Sequence, residues 1–301
     1  LPKTGLASDL KKWMLSELYG CTGWQFDLKA HKAVGDWQAL FGINLRCQHL
    51  SWYTMEGEAK RDYPASILHQ SPYYKDYDYV ETYFGRFGVV MSQGAAACDV
   101  LVINPIESIW CQAYLGWAQW INAVSEDAKA LEAHYQRLFH MLTDHQIDFD
   151  YADEEMMSRM YAVEQDKAGN PIFRVGKSTY RTIMVSGALT IRPSTAEALY
   201  RFLEAGGSVI FAGEIPSYVN ALPSDVPSKL ASHRNAVVIP FEEDLLVEQV
   251  RMRSRYAVQI IYEDGVPAKD VFCQVRIDQE TGLVYFVVLN TDRDGEKKGV
   301  Q

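Results

Sequence analysis

Short, uninterrupted apolar runs bounded by turn residues constrain this chain most. Residues 99–104 read Asp-Val-Leu-Val-Ile-Asn and are followed by proline; residues 182–185 read Thr-Ile-Met-Val; residues 208–212 read Ser-Val-Ile-Phe-Ala. A strand with one wet face alternates apolar and polar residues, whereas a strand covered on both faces does not. Three such runs predict a parallel sheet with helices on both sides. The segments between them fit that role. A helix is predicted to begin at Ser125, with Ala128, Leu131, Tyr135, Leu138 and Leu142 on one stripe. A second follows Ser194 and Glu197, spaced as a capping box, with Leu199, Phe202 and Leu203 as its apolar face and Gly206-Gly207 at its end. A further strand is expected at 236–240. Residues 96–245 are therefore predicted to form a doubly wound α/β domain of flavodoxin-like kind.

The flanking segments differ in texture. Residues 1–95 are rich in Trp, Tyr and Gly. They read as helix (6–14), strand (15–18), helix (28–40), strand (41–50) and helix (80–92), an order suited to parallel strands. From about 250 the period changes. Residues 256–262, 271–277 and 283–289 are strand-like, with turns at 263–265 and 279–282, as at the start of an antiparallel β-domain over 246–301.

Charge and composition exclude several functions. The 301 residues carry 29 Lys+Arg against 39 Asp+Glu, a net charge of −10, with no long basic block, so nucleic-acid binding is not expected. No apolar run approaches the roughly 18 residues of a membrane span, and the N-terminus lacks a signal-peptide pattern, so a cytoplasmic location is expected. The five cysteines, Cys21, Cys47, Cys98, Cys111 and Cys273, match no zinc or redox spacing and are expected to be reduced and mostly buried. The histidines show no H-E-x-x-H or other ligand spacing, so no metal is expected. Neither a dinucleotide fingerprint nor a phosphate loop is present, so no cofactor is expected. The central domain's architecture resembles class I glutamine amidotransferase domains, but neither Cys98 (Ala-Ala-Ala-Cys-Asp-Val) nor Cys111 (Ile-Trp-Cys-Gln) has the glycine-flanked nucleophile turn of that family.

The N-terminal third holds the candidate chemistry. Ser16-Glu17-Leu18-Tyr19-Gly20-Cys21-Thr22-Gly23-Trp24 puts a carboxylate at a strand end, ahead of glycines and an indole. The second strand leads from Asn44 to His49, Trp52 and Tyr53. Flat apolar rings beside hydrogen-bonding groups suit a sugar, whose ring faces are apolar and whose rim carries hydroxyls.

Over 16–105 these motifs resemble the late barrel strands of family 106 α-L-rhamnosidases. The shared features are the strand-end Ser16-Glu17, the aromatic loop to Trp24, Asp27-Leu28-Lys29 opening a helix, and Gly42-Ile43-Asn44 leading to His49. Tyr83–Arg86, Met91-Ser92-Gln93-Gly94 and the strand from Asp99 follow. The order of barrel end, amidotransferase-like domain and β-domain also resembles family 42 β-galactosidases. The resemblance implies the C-terminal part of a (β/α)8 barrel over 1–95, and a piece of a larger glycosidase acting on a terminal sugar such as rhamnose or galactose. It implies Glu17 as one of two catalytic carboxyls, as base or as nucleophile. Trp24, Asn44, His49, Trp52 and Tyr53 are then the substrate-binding residues. The opposed acid is expected upstream of Leu1, with Glu56, Glu58 and Asp62 as candidates within the chain. It further implies contacts between copies through the central domain; a non-catalytic carbohydrate-binding or oligomerisation module is the alternative. The loop after His49, Leu-Ser-Trp-Tyr followed by a charged run, departs from the rhamnosidase pattern and leaves the sugar open.

Overall fold

The computed structural model describes residues 13–51, 56–57, 65, 67–69, 71–112, 125–255, 258–292, 295–296, 298 and 300. The helix expected at 6–14 and the residues Trp52, Tyr53, Glu58 and Asp62 lie outside that set, except for 13–14. Contacts divide the chain into two compact units, one of 11–96 with 270–298, the other chiefly of 97–269. The stretch 246–301 is thus shared between them.

In the first unit, β1 (Leu15–Leu18) and β2 (Leu45–Gln48) pair in parallel, with Glu17 opposite Cys47 and Leu18 opposite Gln48. Two helices follow the strands, α1 (Leu28–Leu40) and α2 (Asp78–Met91). Asp27 caps α1, its carboxylate accepting from Ala30 N at 2.8 Å, which satisfies one of the orphan donors of the first turn. β2 is shorter than the strand expected at 41–50, because Phe41 caps α1 and Gly42 turns the chain at φ 97°. An antiparallel hairpin, Val271–Ile277 with Val284–Asn290, packs Phe272 and Val287 against Leu40 and Met91. Ala95–Ala96 extends the hairpin as a third strand. Gly94 is required there: a Cβ would strike the Ile277 carbonyl.

In the second unit the sheet consists of β3 (Val100–Ile103), β4 (Phe149–Ala152), β5 (Thr182–Ser186), β6 (Ser208–Ala212) and β7 (Ala236–Ile239). All pairings are parallel, in the order β4-β3-β5-β6-β7. The continuous apolar runs are explained by the two-sided core. Leu101 and Ile103 join Val209, Phe211, Leu199 and Phe202 on one side. Val100 and Val102 join Ile210, Leu138, Leu142, Leu246 and Val250 on the other. Successive residues of one strand point to opposite faces, so a strand such as β3 is apolar at every position, and the one polar residue inside β4, Asp150, is buried with the Tyr180 hydroxyl donating to it at 2.9 Å. The helices responsible are α3 (Glu126–Thr143), capped by Ser125, α4 (Pro193–Glu204) and α5 (Glu243–Arg251).

Three expectations are corrected. The Ser194/Glu197 capping box does not form. α4 starts at Pro193, its N-cap Arg192 donates its backbone N–H to Glu154 Oε2 at 2.7 Å, and Glu197 pairs with Arg201 instead. Among the described residues of 256–262 there is no strand: Ile261 makes an isolated bridge to Pro267 across a turn at Gly265, φ 85°. Cys21, Cys47 and Cys111 are exposed rather than buried, Cys98 and Cys273 are half-buried, and none of the five is in a disulfide. An antiparallel meander, Tyr161–Gln165, Pro171–Val175 and Ser178–Tyr180, was not anticipated; it buries Phe173, Val175 and Tyr180 in the first core. No helix among the described residues is long and apolar enough to cross a membrane.

Asp99 enters β3 with its carboxylate fully buried. It accepts from Arg255 N at 2.5 Å, Arg255 Nε at 3.0 Å and Arg255 Nη2 at 2.7 Å. Removing one partner of such a pair leaves the other desolvated without compensation. Asp99→Ala is therefore expected to lower the unfolding free energy by about 3–5 kcal/mol, read as a reduced denaturant midpoint at unchanged slope. A loss under 1 kcal/mol would mean that the pair behaves as a solvated surface bridge.

Candidate active site at the end of two parallel strands

β1 runs into an abrupt turn. Leu18 and Tyr19 are buried, but Tyr19 takes φ 70° and Cys21 φ 56°, left-handed values that side chains disfavour. The turn brings Gly20 beneath the Glu17 side chain. A Cβ at Gly20 would lie 2.8 Å from Glu17 Oε1 and 3.6 Å from His49 Cδ2. The Glu17 carboxylate and the His49 imidazole thus border the same small space, which exists because residue 20 has no side chain. His49 reaches it from the end of β2, where its backbone N–H donates to Leu18 O at 2.8 Å. Its Nδ1 donates to Leu50 O at 3.1 Å, which makes Nδ1 the protonated nitrogen, since a carbonyl only accepts.

Alternation along the strands sets which face each group occupies. Leu15 and Glu17 share a face with their partners Leu45 and Cys47, and all four are exposed. Arg46 and Gln48 point the other way, toward α2, where Arg46 Nη2 bonds Glu81 Oε2 at 2.9 Å and Gln48 Nε2 donates to Glu81 Oε1 at 2.6 Å. A cavity of about 220 Å³ opens on that side, lined by Ile43, Asn44, Arg46, Gln48, Glu81 and Phe84. Asn44 belongs there, at the opposite end of β2 from His49. Its Oδ1 accepts from Met14 N at 2.7 Å and ties the starts of the two strands together. Trp24 is 43% exposed on the loop that follows β1. Tyr73 anchors that loop, donating its hydroxyl to Phe26 O at 2.9 Å. Glu56 is exposed.

The structure therefore brings Glu17 and His49 together, presents Trp24 on the loop from the same strand end, and sets Asn44 apart. Sequence reasoning missed the support beneath the turn. Tyr19, His31 and Phe26 pack ring against ring, with Tyr19–His31 centroids 4.4 Å apart. Burial pushes the Tyr19 phenol up and His31 down. The signal was available in part: Arg46 sits at a helix-facing strand position, where a cation needs a buried or semi-buried partner. Among the described residues no group of three or more His, Cys, Asp or Glu is placed to hold a metal. At the exposed mouth, a carboxylate beside an imidazole at a parallel strand end can accept or relay a proton from a bound hydroxyl or water.

No family profile and no curated protein sequence matches the chain. Among solved structures it is similar to a rhamnosidase from Novosphingobium sp. PP1Y, with TM-score 0.56 and 14% identity over 89% of this chain and 25% of that one. It also overlaps a β-galactosidase from Rahnella sp. R3 (TM-score 0.40, 12% identity, 62% of this chain and 24% of that one). A third overlap is with a family 42 β-galactosidase from G. stearothermophilus (TM-score 0.42, 14% identity, 62% and 24%). The likeness to the rhamnosidase is one of fold, and nothing rests on the two weaker overlaps. These structural neighbours are glycoside hydrolases, and the chain spans a quarter of the rhamnosidase's length.

His31 gives the packing under this turn a pH signature. It is fully buried, its Nδ1 is 2.7 Å from Asp27 O, and Nε2 has no hydrogen-bond partner among the described residues. Burial disfavours the imidazolium, so the folded pKa lies below the unfolded value of about 6.5. The unfolded chain then binds the proton first, and stability is lost as pH falls below about 6.5. His31→Phe keeps a ring but cannot ionise; its stability relative to the parent is expected to improve steadily from pH 7 to 5 in parallel denaturation series. A constant difference would show that His31 is solvated.

Proposed function

We propose that this chain is part of a glycoside hydrolase and carries one of its two catalytic carboxyls, Glu17. The observation that supports this reading is the convergence of Glu17 and His49 over Gly20, at the carboxyl ends of two parallel strands. In (β/α)8 enzymes that edge is where catalytic groups project. Residues 1–95 are read as the closing part of such a barrel, and 96–245 as an amidotransferase-like domain without that family's reaction. The doubly wound order of the second unit supports the latter reading.

Glycoside cleavage needs an acid on the leaving oxygen and an opposed carboxylate at the anomeric carbon. Glu17 is proposed as the second of these, as the base that deprotonates water in an inverting reaction. His49 then orients a sugar hydroxyl, and Trp24, with Trp52 and Tyr53, offers flat apolar surface to the ring. For the opposed carboxyl, Glu56, Glu58 and Asp62 are the candidates within the chain. The substrate class is a terminal deoxyhexose or hexose glycoside of rhamnose or galactose type. Catalysis of this kind draws on no cofactor.

Two substitutions separate chemistry from folding in the native polypeptide that carries this sequence. Glu17→Gln keeps the side-chain size and removes the base, and turnover of the best aryl glycoside is expected to fall at least about 10²–10⁴-fold. Gly20→Ala would place a methyl against Glu17 Oε1, a flexible side-chain end that moves at little cost. Its melting temperature is expected to stay near the parent's while turnover drops about 10²-fold, the cost of misplacing a reacting group by an ångström. Near-parental turnover in Glu17→Gln would make Glu17 a surface acid and end the assignment.

A further inference from the structure

We propose that Tyr19 is the positioning residue of this site: it contacts no substrate, but its buried hydroxyl network fixes the turn that aims the Glu17 carboxylate. The inference rests on the proposed role of Glu17. It starts from a conformational oddity. Tyr19 is a bulky, non-glycine residue at φ 70°, two positions after the candidate carboxylate, and Cys21 repeats the conformation at 56°. Backbone in this region persists in a folded protein only where its surroundings over-determine it, and such positions cluster at functional sites.

The surroundings of Tyr19 do so from every side. Its side chain is 4% exposed. Its hydroxyl donates to His31 O at 3.1 Å and accepts from Arg46 Nη1 at 3.1 Å. Its carbonyl accepts from Thr22 Oγ1 at 2.8 Å and from Ala65 N at 3.3 Å. Its ring lies against Phe26 and His31. Arg46 is held in turn by Glu81 at 2.9 Å and by the Phe84 ring, 4.0 Å below its guanidinium carbon. The network therefore links α1, β2 and α2 to a single phenol on the turn.

The mechanical consequence follows from the geometry. With Tyr19 left-handed and its ring buried, Gly20 is delivered to the exposed face, under Glu17 and beside His49. Were Tyr19 to relax toward an extended conformation, Gly20 would leave that place and the carboxylate would lose the wall that limits its rotamers. Arg46 and Glu81, on the far side of β2, thereby govern a side chain they never touch.

The test compares Tyr19→Phe, Arg46→Lys, Gly20→Ala, Glu17→Gln and the double variant Tyr19→Phe/Gly20→Ala in the native polypeptide. Tyr19→Phe keeps the ring and removes both hydroxyl bonds. Its kcat is expected to fall about tenfold or more with KM within about twofold, the pattern of an interaction that matters only in the transition state. Because Tyr19→Phe and Gly20→Ala disturb the same carboxylate, their effects on kcat are expected to fall well short of multiplying. A structural role would instead give multiplicative losses and a parallel fall in active fraction. Where Tyr19→Phe does not fold, Arg46→Lys reads the same network from its rim, and a lowered kcat at unchanged KM is again expected. Parental kcat in either folded variant, or multiplicative losses in the double variant, overturns the positioning role. If Glu17→Gln itself retains turnover, the glycosidase reading fails, whatever Tyr19 does.

Discussion

The guanidinium of Arg46 is the tie on which the first unit's site depends. It bonds the Tyr19 hydroxyl, pairs with Glu81 and lies on the Phe84 ring, so one side chain holds a turn, a strand and a helix in register. Its side chain is only 14% exposed. A cation so enclosed needs its donors satisfied and its faces covered, and planar arginine, with its fixed fork of donors and apolar faces, meets both needs. The arrangement is polar where it holds geometry and apolar where it holds volume: Leu18, Phe26 and Val34 pack around Tyr19 from the other direction.

The second unit is organised by a different constraint. Its parallel strands are covered on both sides, so its sequence had little freedom to alternate; Asp150 inside β4 is matched by the Tyr180 hydroxyl at 2.9 Å, and other polar residues stand at strand ends. There Asp99 takes Arg255, Glu154 takes the start of α4, and Ser186 takes His134 at 2.8 Å. His134 stacks on Phe241 with ring centroids 3.7 Å apart, and burial with nearby Arg137 lowers its pKa. These strand-end contacts are inward and structural. The exposed carboxylate and imidazole of the first unit contrast with them.

How much was legible follows from the same physics. Strands at 15–18, 208–212 and 271–277 and the helix at 28–40 were read to the residue; for 208–212 and 271–277 the reason is burial, which forces nearly continuous apolar runs on such segments. Glu17 was singled out by its place at a strand end, and His49 by a parallel argument. Their convergence was not legible, since it depends on a left-handed tyrosine that no propensity predicts. The Ser194/Glu197 capping pattern misled because a tertiary carboxylate, Glu154, took the cap. The cysteines misled because free thiols are usually buried, whereas Cys47 shares the open face of β2 with Leu45, and Cys21 lies in the exposed turn.

The proposed role of Glu17 is to activate, from an open strand end, the water that attacks the anomeric carbon. Azide rescue of Glu17→Gly tests this most directly, because a small anion can enter the gap left by the side chain and attack in place of the activated water. In the native polypeptide, with an activated aryl rhamnoside or galactoside, the variant is predicted to be almost inert alone. Added azide should restore turnover in proportion to its concentration, with the glycosyl azide as product. A folded Glu17→Gly variant that hydrolyses the glycoside at the parental rate, or that stays inert at every azide concentration while its binding of the sugar is intact, would contradict the assignment.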